Sequence, residues 1–225
     1  HMGSELLRSK SMQRDSYDSG DWYNRIMFDG TDNNWNVGLP REDKDGANWD
    51  LIKTIIGDST AEPDADDIAL TKQQFLELLK IRSSSELFRL DTADEVMKRV
   101  DFRNVGEDQV EGLIVMSIDD GVSAGEDLDP ANDAIVAVVN STNESQSFKI
   151  TGAKGFTLHD VQQNSADNTV KGASFSAETF TVPALTTAVF VQVQGDAQGV
   201  GLPVDNSDKD VSSIPPYGQT TVYVR

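Results

Sequence analysis

The spacing of hydrophobic and polar positions changes twice along the chain. Residues 1–45 follow neither a helical nor a strand period, and Gly20, Gly30, Gly38 and Pro40 punctuate them. Over 47–57, Trp49, Ile52, Ile55 and Ile56 fall near one face of a short helix, with Gly57 as its natural stop. Asp64-Ala65-Asp66-Asp67 then supplies anionic residues for a helix N-terminus. The clearest helix follows over 67–82, where Ile68, Phe75, Leu78, Leu79 and Arg82 keep helical spacing. Leu76 and Ile81 widen the stripe, which predicts burial on more than one side. From about residue 86 the period becomes two. Strands are predicted over 96–103, 112–118, 133–140, 146–151, 156–161, 178–183 and 186–194, β-branched and separated by Gly, Asn and Asp clusters. That pattern predicts a mainly β chain whose larger part is an antiparallel β-sandwich. Residues 195–216 read as a linker ending in Ile214-Pro215-Pro216, and 220–225 as the start of a further strand, so the parent protein is expected to continue.

Composition narrows the function. Thirty-eight acidic residues against 19 basic ones give a formal charge of −19, the wrong sign for nucleic acid or anionic lipid and compatible with a neutral polymer. No apolar run reaches membrane-spanning length, and the N-terminus carries no secretory signal. His1-Met2-Gly3-Ser4-Glu5 fits either an internal sequence or, in part, a vector scar. Without cysteine there is no disulfide or thiolate metal site. His1 and His159 are the two histidines, too few for a histidine-rich metal site, and His159 reads as a surface or strand residue. The run from Asp119-Asp120-Gly121 through Glu126-Asp127-Leu128-Asp129 offers oxygen ligands of the kind calcium takes, without EF-hand spacing. A solvated hairpin loop is the alternative. No cofactor is otherwise expected.

The candidate chemistry lies in the first 25 residues. Ser4-Glu5-Leu6-Leu7-Arg8-Ser9-Lys10-Ser11 and Arg14-Asp15-Ser16-Tyr17-Asp18-Ser19-Gly20-Asp21-Trp22-Tyr23-Asn24-Arg25 mix charge, hydroxyl, amide and aromatic groups. Ordering such a loop costs entropy and buries little apolar surface. Asp21 and Arg25 flank Trp22 and Tyr23, the residue types that hold a sugar: charged groups hydrogen-bond hydroxyls while rings stack on a pyranose face. A solvated loop with an ion pair is the other reading of the same residues.

These stretches, with Asn33-Asn34-Trp35-Asn36-Val37-Gly38-Leu39-Pro40, Met97-Lys98-Arg99-Val100-Asp101-Phe102-Arg103-Asn104 and Gly112-Leu113-Ile114-Val115-Met116-Ser117-Ile118-Asp119-Asp120-Gly121, resemble the bacterial type I pullulanases and plant limit dextrinases. These are starch-debranching members of glycoside hydrolase family thirteen, the alpha-amylase superfamily. The resemblance runs to about Gly201-Leu202-Pro203-Val204. It implies the C-terminal end of the enzyme: a loop-and-helix remnant of the end of a (β/α)8 barrel over 1–84, a C-terminal β-sandwich over 85–197, and a linker with the start of a further segment over 198–225.

The same resemblance implies hydrolysis of α-1,6 bonds in pullulan and branched malto-oligosaccharides with retention, which needs two carboxylates roughly 5–5.5 Å apart. In the family order those carboxylates lie upstream, so no catalytic residue is assigned here. Asp21 and Arg25 correspond to residues that contact the sugar chain, with Trp22, Asn24, Arg14 and Asp15 as weaker candidates that shape the loop. Tyr23 stands where the family more often has Phe, and its added hydroxyl needs a partner. The expected partners are an alpha-glucan and the rest of the pullulanase chain, without nucleic acid or membrane, plus self-association through an uncovered helix face. The parent is expected outside the cell or on its surface. The rival reading is a non-catalytic carbohydrate-binding or purely structural sandwich module.

Overall fold

A computed structural model describes residues 1–18, 20–195 and 199–200. The chain separates into two compact units, His1–Leu79 and a second that starts at Lys80. The linker and further strand predicted beyond Val200, and with them nearly all of the 198–225 segment, lie outside the described residues.

The first unit is mostly loop, but less irregular than its sequence suggests. It contains 3-10 turns at Ser4–Leu6 and Asp21–Asn24, a one-turn helix α1 (Glu42–Asp45), a third turn at Gly46–Asn48 and helix α2 (Trp49–Ile56). Helix α2 buries Ile52 and Ile56. The indoles of Trp49 and Trp35 donate to the Pro40 and Ile56 carbonyls at 2.8 and 3.0 Å, so both rings hold loop backbone against α2. Helix α3 (Ala65–Ser84) starts on a reciprocal cap. The Asp64 carboxylate accepts from the Asp66 and Asp67 N–H groups, and the Asp64 N–H donates to the Asp67 carboxylate. The predicted stripe on α3 is only partly a core face. Ile68 and Ile81 are buried, whereas Leu70, Phe75, Leu76, Leu78 and Leu79 are exposed and Glu77 is buried instead. Spacing finds the stripe but cannot say which part of it is covered.

The second unit is the sandwich. After α3 come a 3-10 turn at Glu86–Arg89, helix α4 (Ala93–Arg99), β1 (Val100–Phe102), β2 (Leu113–Asp119) and β3 (Asn132–Asn140). Then follow β4 (Gln146–Lys149), β5 (Phe156–Leu158), helix α5 (Asp160–Gln163), β6 (Ser174–Ser176), β7 (Thr179–Val182) and β8 (Thr186–Val193). One sheet has the order β1-β2-β3-β8-β5 and the other β4-β7-β6, with every pairing antiparallel. The chain is thus strand-rich, with an antiparallel sandwich as its larger part.

Period-two alternation sends the side chains of the large sheet to two cores. Leu113, Val115, Ala134, Val136, Val138, Ala188 and Phe190 face the small sheet, where Phe180 meets Phe190 edge-on at 5.1 Å and Phe156 at 5.2 Å. Ile118, Ile135 and Val189 face the other way, against Ile81 from the last turn of α3 and Leu87 from the turn after it.

Four readings need correction. The strand predicted over 96–103 is helix α4 for its first half. Thr92 accepts from the Glu95 N–H at 3.1 Å, so Thr92-Ala93-Asp94-Glu95 is a helix start that the β-branched neighbours hid. The strand predicted over 156–161 stops at Leu158, and His159 caps α5 with its ring rather than lying on a strand or at the surface. Strand β6, with only Phe175 as an apolar residue, was not predicted. Part of the supposed linker belongs to the core: Val200 is fully buried, its N–H donating to the Asp119 carboxylate, and the Gly199 N–H donates to Gln192.

The acidic loop joins the antiparallel neighbours β2 and β3 and is only partly solvated; among the described residues no group of three His, Asp or Glu side chains is placed to hold a metal ion. Asp119, Asp120 and Asp129 are buried. Arg99, with no exposed surface, pairs with Glu95 and Asp120 and donates to the Glu126 carbonyl at 2.6 Å. The Asp120 carboxylate also accepts from the Leu128 and Asp129 N–H groups, so the guanidinium and two backbone amides share one anion.

Removing one partner of a buried pair strands the other. Arg99→Ala is expected to lower stability by about 3–5 kcal/mol. Glu95→Ala, on a more exposed carboxylate, is expected to cost less than Arg99→Ala. Urea unfolding of both variants compares them directly.

His159 gives a second expectation. Its Nδ1 accepts from the Val161 N–H at 3.2 Å and its Nε2 lies 3.0 Å from Ser84 Oγ, whose hydroxyl donates to the Ile81 carbonyl. The ring therefore sits neutral with its proton on Nε2. Burial pushes its pKa below the usual histidine value, against the pull of Asp160, the ionisable group whose charge acts on it. The unfolded chain takes a proton first. The His159 contribution is therefore complete above about pH 6.5 and is lost as pH falls through the folded-state value, by at most about 1.4 kcal/mol per pH unit. Denaturation between pH 8 and 5 should show a steeper acid-side loss in the parent than in His159→Gln.

Candidate functional site

The loop formed by residues 1–45 buries few of its large apolar side chains, Leu6 and Tyr23 among the described residues, and is held instead by polar side chains that bond backbone. The Ser9 N–H donates to the Asn33 carbonyl at 2.7 Å, and Asn33 Nδ2 returns a bond to the Leu7 carbonyl at 2.9 Å. Ser11 Oγ donates to the Gly38 carbonyl at 2.9 Å. Leu7, Ser11 and Met12 adopt positive φ, a strained run that these bonds sustain.

Two of the six candidate residues are engaged in that framework. Arg14 Nε donates to both Asp45 oxygens at 2.9 and 3.1 Å, and a terminal nitrogen donates to the Lys44 carbonyl at 3.2 Å. Asp15 accepts from the Tyr17 N–H at 3.0 Å and lies 3.4 Å from Lys44 Nζ. The Tyr17 N–H and the Lys44 ammonium hold the Asp15 carboxyl below the usual carboxylate range. Both residues thus tie the loop to α1. Arg41, which sequence reasoning did not single out, does the same by pairing with Asp43 and Asp18.

The other four lie on or just after the Asp21–Asn24 turn. Tyr23 is buried, its hydroxyl donating to the Leu39 carbonyl, so the hydroxyl expected to need a partner has one. Burial raises its pKa above the usual tyrosine value. Trp22 stacks on Tyr23 with centroids 4.4 Å apart and a tilt of 31°, and leaves 53% of its surface exposed. Asp21 and Arg25 are exposed, and no ion pair joins them. Arg25 lowers the Asp29 carboxyl by its charge, after the larger effect of the Thr31 N–H and hydroxyl. Asn24 is half-buried. The turn therefore exposes Asp21, Arg25 and part of the Trp22 indole beside the buried Tyr23 ring.

Sequence reasoning missed Asn34. It is buried, has φ +70, and donates from Nδ2 to the Trp22 carbonyl at 2.9 Å. Its place in Asn33-Asn34 before a Trp was a usable signal, since paired Asn residues favour turns with left-handed backbone.

The chain spans about a fifth of the length of the curated relatives it matches. It is 45% identical over 206 residues to a pullulanase of Klebsiella pneumoniae, covering 91% of this chain and 19% of that protein. It is 46% identical over 200 residues to the chloroplastic pullulanase 1 of Arabidopsis thaliana, covering 85% and 21%. Residues 30–193 match the family described as alpha-1,6-glucosidases, pullulanase-type, C-terminal. Asp21 and Arg25 precede that match. Among solved structures, the maltotriose complex of PulA from Klebsiella pneumoniae aligns at a TM-score of 0.80 and 46% identity, over 89% of this chain and 22% of that one. The apo pullulanase of the same organism aligns at 0.81 and 45%, with the same coverage.

Tyr23→Phe keeps the ring and leaves the part-buried Leu39 carbonyl without its donor. It is expected to cost about 1–3 kcal/mol, read as a drop in the denaturant midpoint, and to raise amide exchange across residues 20–25.

Proposed function

The chain belongs to the pullulanase-type alpha-1,6-glucosidase C-terminal family, and on that premise we propose that it forms one wall of the glucan cleft, and the C-terminal sandwich, of a starch-debranching enzyme. The reaction is hydrolysis of α-1,6 bonds in pullulan and branched glucans. The two carboxylates of a retaining glycosidase come from the remainder of the enzyme, and this chain binds and orients the sugar.

One observation carries the assignment. Around the Asp21–Asn24 turn the charged side chains of Arg14, Asp15, Asp18, Arg41 and Asp45 are ion-paired, whereas Asp21 and Arg25 are exposed beside an exposed indole and form no ion pair with any described residue. Asp21 accepts from vicinal hydroxyls, Arg25 donates to sugar oxygens through its planar fork, and Trp22 stacks on an apolar pyranose face. That maltotriose occupies related pullulanases in their solved complexes supports a malto-oligosaccharide as the ligand. The three Trp residues all precede residue 50, which supports a sugar site on this loop over one on the sandwich.

In the enzyme that carries this chain, Asp21→Ala and Arg25→Ala are each expected to weaken maltotriose binding about 10- to 100-fold, the loss of a charge-assisted hydrogen bond. Isothermal titration measures it. Parental affinity in both variants would overturn the assignment.

A further inference from the structure

The Trp22 indole is held in a cradle that two glycines make possible. A Cβ on Gly38 would lie 3.0 and 3.1 Å from the far edge of the indole, and one on Gly20 would lie 2.5 Å from its Nε1. Both glycines also have positive φ, +143 at Gly38 and +88 at Gly20, which side chains rarely adopt. The remaining sides are equally determined. Tyr23 packs on the ring, Asn34 bonds the Trp22 carbonyl at 2.9 Å, and Ser11 Oγ bonds the Gly38 carbonyl at 2.9 Å.

From this we infer that Gly38, Gly20 and Asn34 are positioning residues for glucan: they fix the Trp22 indole as a stacking plane at one angle to Asp21 and Arg25. The inference rests on the sugar-contact reading above and adds what sets the angle of that plane. A half-exposed Trp on a loop would otherwise sample several rotamers, and binding would have to select one. The cradle removes that cost before sugar arrives. Gly38 bears on the outer edge of the indole, where a methyl would tilt the ring away. Asn34 bears on its backbone, which the left-handed conformation of Asn34 brings within reach.

The test pairs a spectroscopic readout with kinetics. Tryptophan emission and acrylamide quenching of the 225-residue chain are compared for the parent, Gly38→Ala, Asn34→Gly and the same changes in a Trp22→Phe background. Asn34→Gly tolerates the positive φ and loses only the tether, so it serves if Gly38→Ala fails to fold. KM and kcat on pullulan are measured for the same set in the enzyme that carries the chain.

Gly38→Ala and Asn34→Gly are each expected to change quenching and to raise KM about two- to tenfold with kcat less affected. Both effects should vanish when Trp22 is already Phe, a non-additivity that a general loss of loop stability would not produce. Unchanged quenching in both variants would overturn the cradle. Changed quenching with unchanged KM would also overturn its role, and Asp21→Ala then locates the failure. A raised KM for Asp21→Ala leaves the sugar-contact reading standing, and an unchanged one removes that reading too.

Discussion

The large sheet of the second unit is apolar on both faces, and that constraint shapes most of what surrounds it. A strand such as β3, with Ala134, Val136 and Val138 on one side and Ile135, Ala137 and Val139 on the other, cannot leave either face to water. The small sheet covers one face with its phenylalanines. The other is covered by the end of α3 and the turn after it, through Ile81 and Leu87. The last turn of α3 is therefore part of the sandwich, and the hydrogen bond between Ser84 and His159 fixes where it sits. The paired carboxylates and Arg99 act at the end of β2, where the chain must leave the sheet without exposing its backbone to an apolar interior.

The first unit solves a different problem with different means. Its loop leaves most of its large apolar side chains unburied, with Leu6 and Tyr23 as the buried ones among the described residues. Asn33, Asn34, Ser11 and Arg14 instead direct side-chain bonds at backbone groups or buried acids. Such bonds are short-ranged and directional, so they specify geometry more sharply than an apolar contact of similar energy.

How much of this was legible in the sequence follows the physics of each element. Strands β2, β3 and β8 could be read because alternation with β-branched residues survives burial on both faces. Helix α4 could not, because Val96 and Val100 suggested a strand while the signal that decided the matter was a single Thr-x-x-Glu cap. The burial of His159 depended on α3, 75 residues away, and no local pattern reports that. Residue types pointed to the stretch that contains the Asp21–Asn24 turn, though not to the turn itself. Which charges are free was invisible, because the partners of Arg14 and Asp15 lie about 30 residues downstream on α1. The exposed part of the α3 stripe shows the same limit from the other side: periodicity announces an apolar face and is silent about what meets it.

Val200 has a consequence for how the chain is made. It completes a core whose other walls begin at Leu113, and its backbone is held by an acid at the end of β2, 81 residues earlier. During synthesis from the N-terminus, β2 and β3 can pair early, but the interior stays open until the residues after β8 have left the ribosome. Asp119 meets the Val200 N–H only at the end of that interval. The sandwich is thus a structure that closes last at its own end, and its final fastening is also the latest step at which its birth can fail.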